Sequence, residues 1–349
     1  MKLDAPVFCI DIDDDVLYTG TALGRVQAWK AGDELVPLYA ANRHKGSVRG
    51  LQVLNQRLVT VGSDRVIKLA DSSTGQVISK LSASVNPQSA LKTVPTTVTF
   101  MNNNRIIAVG TEGGDLQVYD SRASITPNLT VPNIHGDSVS SIVPLYHSNP
   151  FQCLTSGGAT VAHIDIRQHG WKRNPVLLKS ENQEDELLCG TVLPGAGPTA
   201  SRHTGTAGFG TASGVLTLWY GRWDDQQLRV PLSKDEPDSI DCVVPIESTM
   251  LAAGGEGYVW EVDVKSSKVL NEWNVSESVF GLAVGSNKFY AAAGEYIVSR
   301  NLSVDESSPD PDSDSTSDSN SRVIPPPVKT KRRKTKGPSS TIPKFKGLD

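Results

Sequence analysis

The sequence predicts an all-β fold: a propeller of seven four-stranded blades over residues 1–302, followed by a disordered tail over 303–349. Three observations predict it. A glycine-marked strand-turn-strand pattern occurs seven times, its copies fall at a nearly constant interval, and the composition changes abruptly after Leu302.

Three copies of the pattern align without gaps: Gly20–Trp29, Gly110–Tyr119 and Gly210–Trp219. They share G-T-x-x-G-x-apolar-x-apolar-aromatic, which describes a strand end, a tight turn and an alternating strand closing on a large ring. Looser copies run from Gly62 to Asp71, Gly157 to Asp165, Gly254 to Asp263 and Gly294 to Leu302. The leading glycines are 42, 48, 47, 53, 44 and 40 residues apart. Each interval holds several short β-rich runs, as a propeller blade requires. The second unit shows all four: Val48–Val53 as inner strand, Arg57–Val61 and Val66–Asp71 as the middle pair, and Gln76–Leu81 as outer strand.

The net charge of −4 averages two different objects. Residues 1–302 hold 25 Lys/Arg against 31 Asp/Glu, whereas 303–349 hold 9 against 7. Within the tail, 303–321 carries six acids and no Lys or Arg, and 322–349 carries all nine bases and only Asp349. A segment so rich in Pro, Ser and charge cannot bury enough apolar surface to offset its ordering entropy. No stretch approaches the roughly 20 apolar residues of a membrane span. The opening MKLDAPVFCIDIDDD lacks an apolar run of signal-peptide length, so secretion is not expected. The four cysteines are far apart and form no C-x-x-C pair, against a disulfide framework or zinc cage. Cys9, Cys189 and Cys242 fall in the first strand of their units, which marks a packing position.

Catalytic motifs are absent: there is no G-x-S-x-G, P-loop, H-E-x-x-H or dinucleotide fingerprint. Residues 195–205 (GAGPTASRHTG) are expected to be a surface loop of blade 5, and the run Asp11-Ile12-Asp13-Asp14-Asp15 a strand end and solvated turn. The six histidines show no metal-ligand spacing; His44 and His135 are expected to be structural and the others exposed. No enzyme activity, cofactor, metal or small-molecule substrate is expected.

Val66–Asp71 is similar to the I-K-L-W-D signature of WD repeats, with Ala70 at the usual Trp, and Leu116–Asp120 keeps the Asp with Tyr119 at the ring position. His44 and His135 stand where a Gly-His pair is usual. The chain therefore resembles the WD-repeat family across nearly all of 1–302. The resemblance implies a buried His, turn-Asp and Trp network in each blade; only blade 2 keeps both His44 and Asp64, and it lacks the Trp. It also implies that an N-terminal strand completes the last blade. Val279–Leu302 has room for three strands, and residues 2–6 are the candidate fourth, limited by Pro6. A six-bladed ring with a spare hairpin is the alternative.

Three features rise above the scaffold. The first is Gly221-Arg222-Trp223-Asp224-Asp225-Gln226-Gln227, after the strand ending at Trp219. Arg222, Trp223, Asp224 and Asp225 fit a partner-recognition surface, since exposed Trp and Arg are favoured anchors; the competing reading packs Trp223 sideways on a neighbouring blade. The string V-L-T-L-W-Y-G-R-W-D-D-Q-Q, with a basic tail ending K-F-K-G-L-D, resembles the nucleolar branch of WD repeat-containing protein fifty-five and its fungal counterparts. That resemblance implies ribosome biogenesis and ribosomal RNA processing in the nucleolus, with pre-ribosomal assembly factors as protein partners.

The second feature is the run of Lys329, Lys331, Arg332, Arg333, Lys334 and Lys336, which suits nuclear import or phosphate contacts. RNA binding through it is the weaker reading, because no aromatics are interleaved to stack on bases. Ser303 and Ser315 begin Ser-x-x-acid sites, where phosphorylation would add about −1.5 to −2 charge each and weaken RNA contact. The third feature is the pair Asp120/Arg122 and Asp165/Arg167, which resembles the W-D-x-R box that docks substrate receptors on a cullin-RING ligase adaptor. The sequence thus points to a non-enzymatic nuclear scaffold in ribosome biogenesis. A cullin-RING substrate receptor and a chromatin-associated scaffold are the alternatives.

Overall fold

The computed structural model describes residues 1–81, 93–122, 127–168, 174–193, 205–232, 238–247, 249–255 and 257–302. Most of the blade 5 loop (194–204) lies outside them, as does the whole tail with Ser303, Ser315, Lys329, Lys331, Arg332, Arg333, Lys334 and Lys336. The described residues build 27 strands and no helix.

Blade 1 is β1 (Val7–Asp13), β2 (Val16–Thr21), β3 (Arg25–Lys30) and β4 (Val36–Asn42). Blade 2 is β5 (Val48–Leu54), β6 (Arg57–Gly62), β7 (Ile67–Asp71) and β8 (Val77–Leu81). Blade 3 is β9 (Pro95–Met101), β10 (Ile106–Thr111), β11 (Leu116–Asp120) and β12 (Leu129–Val131). Blade 4 is β13 (Ser141–Pro144), β14 (Gln152–Gly157), β15 (Thr160–Asp165) and β16 (Val176–Lys179). Blade 5 is β17 (Leu187–Leu193), β18 (Thr206–Thr211), β19 (Val215–Trp219) and β20 (Leu228–Pro231). Blade 6 is β21 (Ile240–Ile246), β22 (Thr249–Gly254), β23 (Tyr258–Asp263) and β24 (Lys268–Asn274). Blade 7 has β25 (Val279–Val284), β26 (Lys288–Ala293) and β27 (Tyr296–Asn301). Every sheet is antiparallel and keeps sequence order, as in a seven-bladed β-propeller.

The ring closes through its N-terminal segment. Lys2 bridges Tyr296, Leu3 donates its N–H to the Glu295 carbonyl at 2.8 Å, and Ile297 donates to the Met1 carbonyl at 2.8 Å. Pairing is confined to residues 1–3 rather than 2–6. Pro6 has no N–H to give, and its carbonyl instead accepts the Ala22 N–H.

Each letter of G-T-x-x-G has a physical cause. The first glycine is where the next blade presses in: a Cβ on Gly20 would lie 2.7 Å from Val48, and one on Gly210 would lie 2.4 Å from Ile240. The Thr hydroxyl accepts the N–H that opens the following strand, as Thr111 does from Asp115 (3.2 Å) and Thr211 from Val215 (3.1 Å). The second glycine takes a left-handed backbone, with φ of 76° at Gly24, 78° at Gly114 and 72° at Gly214.

The core is a set of seams. Buried apolar side chains of the described residues fall into seven clusters, each joining one pair of neighbouring blades. Cys9, Cys189 and Cys242 pack in such seams, the Cys189 Sγ lying 3.3 Å from the Ile240 carbonyl. Burial pushes the Cys9 thiol up to about 12, so these are packing groups.

Three expectations need correction. Asp11 is not part of a solvated turn. Its carboxylate accepts the Val53 N–H of blade 2 (2.8 Å) and the Ile12 N–H (2.9 Å), and burial raises it to about 7. The buried networks survive with changed members. His44 bridges Asp64 and Thr60, both at 2.9 Å; His135 bridges Thr160 (2.7 Å) and Thr155 (2.9 Å), so a hydroxyl replaces the turn carboxylate in blade 4. His163 is half-buried rather than exposed, and burial lowers its pKa. Where Ala70 leaves room for the absent Trp, Tyr18 and Tyr39 of blade 1 pack in, and both hydroxyls donate to the Ser72 carbonyl.

Candidate functional site

Blade 5 carries the densest grouping of candidate residues. β19 ends on Trp219, which is fully buried with its ring edge-on to Phe209; its Nε1–H donates to the Thr217 hydroxyl at 3.1 Å. Residues 220–227 then cross to β20 as a loop. Trp223 turns inward, 6% exposed, into the seam between blades 4 and 5 among Val161, Leu187 and Trp219. Its ring stands edge-on to His163, 6.5 Å between centroids. Trp223 is therefore not an exposed anchor, because an indole left in water would forfeit a large apolar burial. It latches the loop onto blade 4. The Glu181 N–H of that blade donates to the Asp224 carbonyl at 3.0 Å, and the Gln227 side chain accepts the Tyr220 N–H at 2.7 Å.

With the indole fixed inside, the charges around it face out. The Arg222 guanidinium donates to the Asp224 carboxylate at 2.7 Å, and the two side chains are 72% and 47% exposed. That bond holds Asp224 below the usual carboxylate range. Asp225 accepts the Gln226 N–H.

The two Asp-x-Arg turns are near-identical. Arg122 donates to its own Asp120 at 3.0 and 2.7 Å, and Arg167 donates to Asp165 at the same two distances. These two-pronged bonds from the guanidinium hold each carboxyl down to about 2. Both arginines fold back on their strand ends instead of standing free, yet their outer edges remain in solvent. Arg167 also lies over the Phe151 ring, 5.1 Å from its centroid.

Between these turns the structure opens a cleft of about 270 Å³, which sequence reasoning missed. Ile106, Val118, Leu129 and Phe151 form its apolar walls, with Asp120 and Arg167 at its rim. Its walls come from several strand ends on two blades, so no periodicity reports it. Among the described residues no group of three or more His, Cys, Asp or Glu could hold a metal ion.

No protein-family profile matches the chain. Curated proteins do. The chain is 31% identical over 284 residues to the WD repeat-containing protein jip5 of Emericella nidulans, covering 75% of this chain and 67% of that one. It is 28% identical over 315 residues to the JIP5 protein of Phaeosphaeria nodorum, covering 78% and 72%. Against the JIP5 protein of Saccharomyces cerevisiae it is 30% identical over 257 residues, covering 69% of this chain. The chain spans about half the length of that yeast relative. Seven sequential blades, six of four strands and a three-stranded seventh closed through the N-terminal segment, and this level of identity agree: the chain belongs to the WD repeat-containing JIP5 family of β-propellers.

Proposed function

We propose that the protein is a non-enzymatic interaction scaffold of the nucleus, concentrated in the nucleolus, that serves pre-ribosome assembly and ribosomal RNA processing. The observation that carries this reading is the latched loop at 220–227. Trp223 fixes the backbone, and Arg222, Asp224 and Asp225 stand exposed on a rigid rim where the blade packing does not need them. Charges fixed on a rigid loop select a partner at low ordering cost. The resemblance of this string to the protein fifty-five branch and the basic run at 329–336 support the compartment. The test is a pull-down with the tagged full chain. Wild type recovers large-subunit assembly factors and precursor RNA, and Arg222→Ala plus Asp225→Ala loses them without loss of fold. An unchanged partner set in the variant defeats the reading, as does a wild-type set without assembly factors. Deleting 329–336 is expected to move the chain to the cytoplasm.

A second reading, docking on a cullin-RING adaptor, is favoured by the twin Asp-x-Arg turns on adjacent blades. It requires adaptor in the pull-down that disappears with Arg122→Ala plus Arg167→Ala.

A further inference from the structure

Four seams between blades share one contact. A residue just after the outer strand donates its N–H to the carbonyl of the turn glycine in the same blade: Arg43 to Gly24 (2.8 Å), Ile134 to Gly114 (2.9 Å), Leu232 to Gly214 (3.1 Å) and Val275 to Gly257 (2.8 Å). All four side chains are buried, with 5% exposure at Arg43 and Leu232 and 6% at Ile134 and Val275. Three are apolar, as a packed seam demands, and the one between blades 1 and 2 is an arginine.

Arg43 thus places a charge at a core position. Its guanidinium donates to the Gly75 carbonyl, and its buried Nε has no hydrogen-bond partner among the described residues. Two lysines share this seam. The Lys68 ammonium on β7 donates to the Arg43 carbonyl. Lys80 on β8 stands directly opposite Lys68 in the strand pair, so both side chains leave the same face of the blade. Depth is graded: Arg43 is buried, Lys68 half-buried and Lys80 exposed. Among the described residues none of the three forms an ion pair. The acids nearby are already engaged. Asp64 accepts the His44 imidazole (2.9 Å) and the N–H groups of Lys45 (3.0 Å) and Val66 (3.2 Å), and Asp71 accepts those of Ser73 (3.0 Å) and Thr74 (2.9 Å). Burial lowers the pKa of Arg43 and of Lys68; at Lys68, Asp64 opposes the effect while Lys80 and Arg43 add to it.

A buried charge is costly unless an opposite charge meets it, and like charges facing each other across a strand pair repel. Residues 1–302 carry more acid than base, yet no carboxylate meets these three bases. We infer that the outer part of the seam between blades 1 and 2 binds a phosphoryl group, carried on a phosphorylated serine or threonine of a protein partner. Lys68 and Lys80 meet its oxygens, and Arg43, deeper in the seam, adds its positive field. Three bases at one point fit a single compact dianion. A nucleic-acid strand instead needs bases spread along a track, and the net negative charge of 1–302 repels a long polyanion. The inference needs only the scaffold part of the proposed function. The compartment and ribosomal parts can fail without touching it.

The test uses the purified full chain and a fluorescein-labelled Gly-Ser-Gly-phosphoSer-Gly-Ser-Gly peptide, with anisotropy as readout, beside the unphosphorylated peptide and a labelled oligouridine. Wild type is expected to bind the phosphopeptide saturably and about tenfold more tightly than the unphosphorylated form. Lys68→Gln plus Lys80→Gln should remove that difference. Arg43→Leu should weaken phosphopeptide binding and, without peptide, raise the melting temperature, because it restores the apolar side chain of the other seams. Lys30→Gln, at the far end of β3, should match wild type. Thermal melts check that each variant folds. Equal binding of the two peptides by wild type overturns the inference. So does phosphopeptide binding that survives the double lysine change, which would put it on the basic run at 329–336. Tighter binding of the oligouridine, lost with the same two lysines, also overturns it and would make the seam a nucleic-acid site.

Discussion

Blades 2 and 4 place a histidine at equivalent points and surround it differently. In blade 2, His44 is clamped between the Asp64 carboxylate and the Thr60 hydroxyl; in blade 4, His135 sits between two hydroxyls, Thr160 and Thr155. Burial lowers both imidazoles. Asp64 partly opposes the effect for His44, whereas His135 has no carboxylate against it and falls to about 4. Burial also acts to raise Asp64, but the Lys45 N–H and His44 outweigh it, and its carboxyl ends below its ordinary value. The difference shows what the position demands: a neutral bridge that saturates polar groups between strands. Either a carboxylate or a hydroxyl serves as its far partner, at a different cost in acid.

That cost gives the largest expected effect. Below about pH 6.5 the unfolded chain protonates His135, while the folded chain resists until about 4. The unfolded state therefore binds more protons in that window, and stability is lost as pH falls through it, by roughly 3 kcal/mol from this residue. Urea midpoints between pH 7 and 4.5 should show the loss, and His135→Asn should flatten it; an equally steep acid limb in the variant would break the comparison. Next, His44→Ala should cost about 3 kcal/mol and His135→Ala about 2, because the first removes a hydrogen bond to a carboxylate, which keeps only the Lys45 and Val66 N–H donors, and the second removes bonds to hydroxyls alone. Chemical denaturation measures both, and the reverse order contradicts the account.

Ala70→Trp would give blade 2 the ring its family usually has. It should nonetheless destabilise by about 2 kcal/mol, since Tyr18 and Tyr39 already fill that space; a raised melting temperature would show that the space is open. The smallest effect sharpens the contrast directly. Thr160→Asp gives blade 4 the blade 2 arrangement and should raise the His135 pKa by about one unit in an NMR titration. No movement would mean that position 160 does not reach the imidazole.

The ring was legible in the sequence because its turns are local. Gly20, Gly110 and Gly210 occur with Thr and a second Gly at fixed spacing; the Thr and the second Gly answer to backbone geometry within a few residues, and the first Gly, which makes room for the next blade, shows itself by repetition. What the sequence hid depends on neighbours far along the chain. Asp11 looked like one acid in a solvated run because its partner, the Val53 N–H, belongs to the next blade. Trp223 fitted both an anchor and a packing residue, because the seam that decides between them, beside His163, is contributed by blade 4. The substitution of Thr160 for a turn acid was invisible for the same reason. Of the candidate site, Arg222, Asp224 and Asp225 fall where the sequence put them, on an exposed turn, while the cleft beside Asp120 and Arg167 had no sequence signal at all.

Closure through Leu3 and Glu295 ties together residues nearly three hundred positions apart. A ribosome adding about 5–20 residues per second would take roughly 15–60 s to cover that distance. For that interval blade 1 stands with one flank bare, and the first three residues have nothing to pair with. When β27 emerges it is an edge strand whose free N–H and C=O groups would accept any extended chain. The last fastening is thus also the slowest contact to form, and a second nascent copy could offer its own first residues to that edge. A three-residue clasp limits the hazard, since so short a pairing is easily undone and made again with the correct end.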